Sequence, residues 1–318
     1  MKHTQRGAAL LTAMLTVTLV ATIASAALWQ QWRQVEIETA ERGRSQTAWM
    51  MTGALDWTRL ILREDAVSAQ GNGPDHLGEP WALPVQESKL SSFLSQDQAW
   101  REGDTEVFLS GQITDAQSRM NVMNLLENGQ VSVPALQRFG RLFERLNLPV
   151  QELHTLARQL QAAAQAAKTP GPAGAGTPLM PQQTQQLVWL GLSPGTLAAL
   201  ENFITLLPEP TPVNLNTAPA EVLMASVPGL DLAAARQLVQ LRERGHWATL
   251  EAARQAMGPA GASLQAPQHS VQSRYFQVLG RMRIDHVVQE DQVLVQREGQ
   301  QVRMLWRVRR PIRVTRAP

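Results

Sequence analysis

Between residues 8 and 28 the chain reads AALLTAMLTVTLVATIASAAL, an apolar run without a single charge. About 20 such residues is the length at which a helix crosses the hydrocarbon core of a bilayer, so the run predicts a membrane helix. A helical period then continues to about Asp65 with no proline to break it. Trp49, Met50, Ala54, Trp57 and Ile61 recur at the three-and-four spacing of one apolar face, which predicts the buried side of this outer half. Joined, the two halves make one helix on the order of 80 Å long at 1.5 Å per residue.

The next stretch, GNGPDHLGEPWALP at 71–84, is rich in turn formers and reads as loop. Residues 106–113 alternate as a strand, with a turn following over 114–118 and a short helix start over 120–126. Leucine and phenylalanine at helical spacing mark residues 133–167, on both sides of Pro149. After the flexible TPGPAGAGTPLMP at 169–181, helical signals resume at 182–190 and 194–207. The segment VNLNTAPAEVLMASVPGLDLAAARQLVQLRERGHWATLEAA then reads as a helix-hairpin-helix. Thr217 is its expected N-cap, with Asn216 a near rival, Pro228-Gly229 the turn, 232–244 the second helix and Gly245 its stop. From Ser273 the period falls to two, Tyr275, Gln277, Leu279 and Arg281 opposing Phe276, Val278 and Gly280. Residues 293–297 and 302–308 continue it around EGQQ. One strand before the helical stretch and a set after it predict an α+β fold. A long N-terminal helix packs on an antiparallel sheet, and a large all-helical domain interrupts that sheet.

Charge orients the chain. Lys2 and Arg6 precede the apolar run, while Trp29, Trp32, Arg33 and a mixture of signs follow it, so the N-terminus stays cytoplasmic and the bulk is exported. The net charge of +2 reflects nearly balanced acids and arginines, with much of the excess at the carboxyl end. There is no cysteine, which excludes a disulfide framework, a thiol nucleophile and a thiolate metal site. The six histidines are scattered without ligand spacing, and Ser45 and Ser226 lack a glycine elbow, so no enzyme is expected. His286 beside Asp285 reads as a strand-end turn.

Two patterns invite a sharper reading. Asp115, Asn121 and Asn124 in ITDAQSRMNVMNLL are hard-oxygen groups, but their spacing is not that of a calcium loop, and turn and cap roles fit better. The helix-hairpin-helix would bind DNA through backbone N–H groups at its turn. Here that turn is Gly229-Leu230-Asp231, with an acid where phosphate would lie. Arginines 236, 242, 244 and 254 are matched by Glu221, Asp231, Glu243 and Glu251. The segment therefore reads as a protein-interaction module, with no nucleic acid expected.

The apolar run supports three processing routes. Ala24-Ser25-Ala26 is a small-x-small site for a cleaved secretory signal, and the same run serves equally as an uncleaved anchor. The third route rests on Arg6-Gly7 placed directly before Ala8-Ala9-Leu10-Leu11, which resembles a prepilin leader cut after its glycine. Most pilins carry Glu at the fifth mature position; here it is Thr12. A carboxylate buried there is costly unless paired, and a subunit with no predecessor in the filament needs none.

Taken together, RGAALLTAMLTV, ITDAQSRMNVMNLL, VNLNTAPAEVLMASVPGL and SRYFQVLGRMR resemble the type II secretion system minor pseudopilin K family. The resemblance implies a pilin-like fold divided as leader 1–7, transmembrane and filament-core helix 8–28, pilin core 29–114, inserted helical domain 115–271 and closing strands 272–318. It further implies cleavage by prepilin peptidase between Gly7 and Ala8, N-methylation at Ala8, and Thr12 in place of Glu at the assembly position. The implied setting is the bacterial inner membrane, single-pass, with a periplasmic body that later sits at the pseudopilus tip on minor pseudopilins I and J. No catalysis by the subunit is implied. Some relatives bind calcium in the helical domain, but no ligands transfer to residues here. Two other classes stay open: a membrane-anchored, competence-type DNA-binding protein, and a free periplasmic binding protein beginning at Ala27.

Overall fold

The computed structural model describes residues 6–68, 73–89, 106–168, 178–284 and 287–313. Parts of the expected loops at 71–84 and 169–181, and the expected turn at 285–286, lie outside the described residues. The chain divides into two compact units, Met1–Ala54 and Leu55–Pro318. Helix α1 runs Arg6–Ser68. In the first unit Leu10, Leu11, Leu15, Leu19, Val20 and Ile23 are all exposed, so the helix is apolar around its circumference. That all-round pattern belongs to a helix whose surroundings are lipid or other protein.

The second unit holds the last turns of α1, from Leu55. There Leu55, Leu62 and Ala66 are buried. The face differs from the one that spacing predicts: Trp49 is 77% exposed and Trp57 44% exposed. Two stripes of similar period run along this helix, and the smaller aliphatic residues, not the tryptophans, fit close against a sheet. The seam is fixed by Arg59, whose Nε and Nη2 donate to the carbonyl of Val302 at 3.1 and 2.9 Å.

Five strands make the sheet: β1 Val85–Lys89, β2 Val107–Asp115, β3 Tyr275–Ile284, β4 Val287–Glu298 and β5 Gln301–Arg313. Their spatial order is β1-β2-β3-β4-β5, and every neighbouring pair is antiparallel. Strand β1 is an addition to the expected set, because five residues with four polar side chains carry too little alternation to announce an edge strand. In β3 the alternation separates two faces, with Phe276, Val278 and Gly280 buried and Leu279 and Arg281 exposed, while Tyr275 at the strand start is buried as well.

Strands β2 and β3 are hydrogen-bonded neighbours, with Ile113 opposite Val278 and Asp115 opposite Phe276. Between them in sequence the chain builds the helical body. It comprises α2 Val133–Arg145, α3 Val150–Lys168, α4 Pro194–Leu200, α5 Ala220–Ser226, α6 Leu232–Arg244 and α7 Leu250–Ala256. Phe139, Phe143, Leu156, Leu190, Leu223 and Trp247 belong to one buried core within it. Asn147, at a φ of 53°, and Pro149 separate α2 from α3.

The helical signal over 182–190 is realised as a 3₁₀ helix over 184–190, ending at Gly191, whose φ of 99° only glycine adopts freely. Two other expectations are corrected. The helix expected over 194–207 stops at Leu200, and Ile204–Thr205 instead pairs in parallel with Met120–Asn121. Here the β-branched pair Ile204 and Thr205 joins a strand before Pro208 rather than a last helical turn. Helix α5 begins at Ala220 after Pro219, so neither Thr217 nor Asn216 caps it. Their side chains serve longer-range bonds described below. The second helix of the hairpin keeps its expected bounds, and Asp231 caps it by accepting from the N–H of Ala234 at 2.7 Å.

Candidate functional site

Among the described residues, polar chemistry gathers at the start of the apolar helix and at the joint between sheet and helical body. In the first, Thr12 Oγ1 donates to the carbonyls of Ala8 and Ala9, both at 3.0 Å. Thr16, Thr18 and Thr22 bond back to their own preceding turns in the same way. Each hydroxyl is thereby satisfied inside the helix, so the segment offers no bare donor to a hydrocarbon surrounding. Gly7, Ala8 and Thr12 all lie on helix α1.

The joint is built around Asp115, the last residue of β2 and fully buried. Its Oδ1 accepts from the N–H of Gln117 at 2.7 Å. Its Oδ2 accepts from Asn214 Nδ2 at 2.9 Å, Thr217 Oγ1 at 2.5 Å and Ser273 Oγ at 2.6 Å. One carboxylate thus ties the sheet, the entry to α5 and the segment leading into β3. Burial pushes its pKa up, and the hydrogen bonds from Ser273, Thr217, Gln117 and Asn214 pull it back.

A second carboxylate completes the joint. Asp75 Oδ2 accepts from the N–H of Ser273 at 2.7 Å, and Asn214 Nδ2 also reaches the carbonyl of Asp75 at 3.1 Å. Arg297, on β4, pairs with Asp75 through one guanidinium nitrogen and with Asp65 of α1 through the other at 2.7 Å. The same guanidinium lies 4.8 Å from the centre of the Phe276 ring. Burial raises Asp75 to about 6 despite Arg297, and burial raises Glu79 to about 7 despite bonds from His76 and Trp81. His76 stacks on His246 with ring centres 3.7 Å apart, which brings the loop after α1 against the turn after α6.

The amides of ITDAQSRMNVMNLL are committed as well. Asn121 Oδ1 accepts from the N–H groups of Met123 and Leu207 at 3.1 and 3.2 Å, while its Nδ2 donates to the carbonyl of Glu209 at 2.7 Å. Asn124 exchanges both its bonds with the backbone of Thr211, at 2.8 and 2.9 Å. Asn216 does the same with Trp247 at 3.0 and 2.9 Å. These asparagines replace missing backbone ladders between segments distant in sequence. With their oxygens filled by protein donors, Asp115, Asn121 and Asn124 do not fit a calcium ion. Asp65, Asp75 and Glu79 each bring an oxygen within 4.8 Å of the others, but Arg297 already supplies the positive charge to two of them.

At the hairpin, Asp231 occupies the α6 N-terminus that a phosphate would need. Two of its four arginines are turned to carbonyls: Arg242 to Leu215 at 2.6 Å and Arg254 to Leu264 at 3.0 Å. This is the chemistry of a packed module, not of an open phosphate surface.

Sequence reasoning passed over His269, which is buried on the two-residue strand His269–Ser270, paired in parallel with Val213–Asn214. Its Nδ1 accepts from the N–H of Gln265 at 3.2 Å, so Nε2 carries the proton and donates to the carbonyl of Ser226 at 3.3 Å. Burial pulls its pKa down to about 4 from the ordinary 6.5. Between those values the unfolded chain binds the extra proton, so stability falls as pH drops through this window. Replacing His269 with Gln flattens the urea-unfolding profile between pH 6.5 and 4, by about 2–3 kcal/mol relative to the parent. Parallel profiles for the two proteins would show that His269 is not the titrating group.

The family described as "Type II secretion system (T2SS), protein K" matches residues 118–209 and 213–272, which is nearly the whole stretch between β2 and β3. Type II secretion system protein K of Pseudomonas aeruginosa is 26% identical over 302 residues, covering 89% of this chain and 86% of that protein. Its counterpart from Klebsiella pneumoniae is 25% identical over 327 residues, covering 94% of each. In fold, the chain resembles one in the crystal structure of the GspK-GspI-GspJ complex from enterotoxigenic Escherichia coli. That likeness has a TM-score of 0.63 at 18% identity, over 85% of this chain and 98% of that one. The long helix, the sheet with its inserted helical body and these relatives agree: the chain belongs to the type II secretion system protein K family, and is a minor pseudopilin of that system.

Proposed function

We propose that this subunit sits at the tip of the pseudopilus, where it caps and helps to nucleate the short filament that drives folded proteins across the outer membrane. The observation that carries the reading is the insertion itself: a complete helical domain with its own core leaves the sheet between two hydrogen-bonded strands. Such bulk obstructs another subunit stacked beyond it, while the apolar helix from Ala8 remains available to subunits added below. Thr12, with its hydroxyl turned back on the helix, has no carboxylate to offer a predecessor. In this reading prepilin peptidase cuts between Gly7 and Ala8, Ala8 is then N-methylated, and residues 8–28 hold the subunit in the inner membrane until assembly. The body faces the periplasm and the subunit performs no catalysis. The solved Escherichia coli complex contains GspK, GspI and GspJ, so the partners proposed here are the corresponding minor pseudopilins I and J.

An in-frame deletion of residues 115–271, rejoining the sheet directly, tests the role of the body. Cells carrying it should start far fewer filaments, with an altered set of minor subunits at their ends. Filaments that begin at the normal frequency with the same tip composition would remove the capping role from this domain.

A further inference from the structure

Among the described residues β5 pairs with β4 on one side and with no strand on the other. Along a 13-residue edge every second backbone N–H and C=O points to the outer side; Arg59 takes the carbonyl of Val302 near its start, and among the described residues no strand pairs with the rest. Two features interrupt it. The β4–β5 register slips between Leu294 and Val295, leaving Leu305 as an extra residue, and Pro311 has no N–H to give. Residues 306–310 lie between these interruptions.

The charge on this edge is one-sided. The first ten residues of β5, QVRMLWRVRR, contain four arginines and no acid. Across the β4 register Arg309 and Arg310 stand opposite Asp291 and Glu290, but Arg303 and Arg307 stand opposite Gln296 and Val293. The buried Asp291 serves two guanidiniums at once, Arg307 through Nε at 2.6 Å and Arg309 at 3.5 Å. Arg303 and Arg310 are exposed. The opposite edge is built otherwise: β1 carries one acid and one base, and its Glu87 is held by Arg283. Keeping a strand edge from self-pairing takes only a charge or two. A row of planar guanidiniums matches carboxylates in geometry as well as in sign.

We propose that the outer edge of β5, centred on residues 306–310, is a docking edge that takes an extended, acidic protein segment as an added strand. Backbone groups bind the strand and the arginines select its carboxylates. An anionic membrane surface offers the charge without the ladder, which separates the two by experiment.

The test uses the full chain in detergent micelles and four probes: an alternating glutamate–threonine octapeptide, the same peptide with every second amide N-methylated, a lysine–threonine octapeptide, and phosphatidylglycerol vesicles. The glutamate peptide should bind and slow amide exchange in residues 306–310 by about tenfold, with the N-methylated and lysine peptides weaker by about tenfold or more. The R303E/R310E double variant should lose this binding while unfolding at the parent temperature; if it fails to fold, the N-methylated arm still decides. Equal binding of the N-methylated peptide, protection by vesicles alone, or no slowing by any peptide would each overturn the proposal.

Discussion

Replacing Asp115 with Ala lowers the stability of the sheet-and-body unit by about 3–5 kcal/mol, because four donors lose their acceptor at once in a site closed to water. The donors are the N–H of Gln117 and the side chains of Asn214, Thr217 and Ser273. Asp115→Asn keeps the shape but turns an NH₂ toward some of the same donors, so its loss is smaller, about 2 kcal/mol. Thermal unfolding followed by tryptophan fluorescence should place the alanine variant about 10 °C below the parent. A shift within a degree or two would mean that the joint is held by apolar packing and that the carboxylate is incidental.

Arg297→Met leaves Asp65 and Asp75 without their shared cation while preserving much of the aliphatic contact with Phe276. Removing one member of a buried pair costs about 3–5 kcal/mol. The loss depends on pH in a direction that follows from Asp75. Its pKa of about 6 lies above the ordinary 3.8, so its contribution to stability is complete below 3.8 and is lost as pH rises through 6. Glu79, raised to about 7, behaves alike. Without Arg297 the unpaired charge on Asp75 is still less tolerable, so the gap between variant and parent should be widest near pH 8 and should narrow near pH 5. Urea midpoints at these two pH values measure it; a gap that is constant, or widest in acid, contradicts the assignment.

Much of this architecture is written locally in the chain. The uncharged run 8–28, the period-two pattern of β3 to β5 and the hairpin of α5 and α6 announce themselves because each is a repeat over neighbouring residues. What escaped reading is non-local. Thr217 and Asn216 have the chemistry of helix caps, and only the folded chain shows the first bonded to Asp115 and the second to Trp247. Asp75, Asp115, Asn214 and Ser273 come from four separate stretches and meet with no sequence period to signal it. The tryptophan stripe of α1 misled for a related reason: Trp57 and Leu62 lie on different faces of one helix, and only the sheet opposite decides which is covered. His269 gave no motif because its partners are backbone groups.

A capping subunit of this kind must keep its apolar helix through maturation, as the element that passes from bilayer to filament. The intact mass of the mature protein, taken from the membrane fraction, tests this most directly. It should equal the chain from Ala8 onward with one added methyl group. A mature chain that begins at Ala27, stripped of the helix, would contradict it.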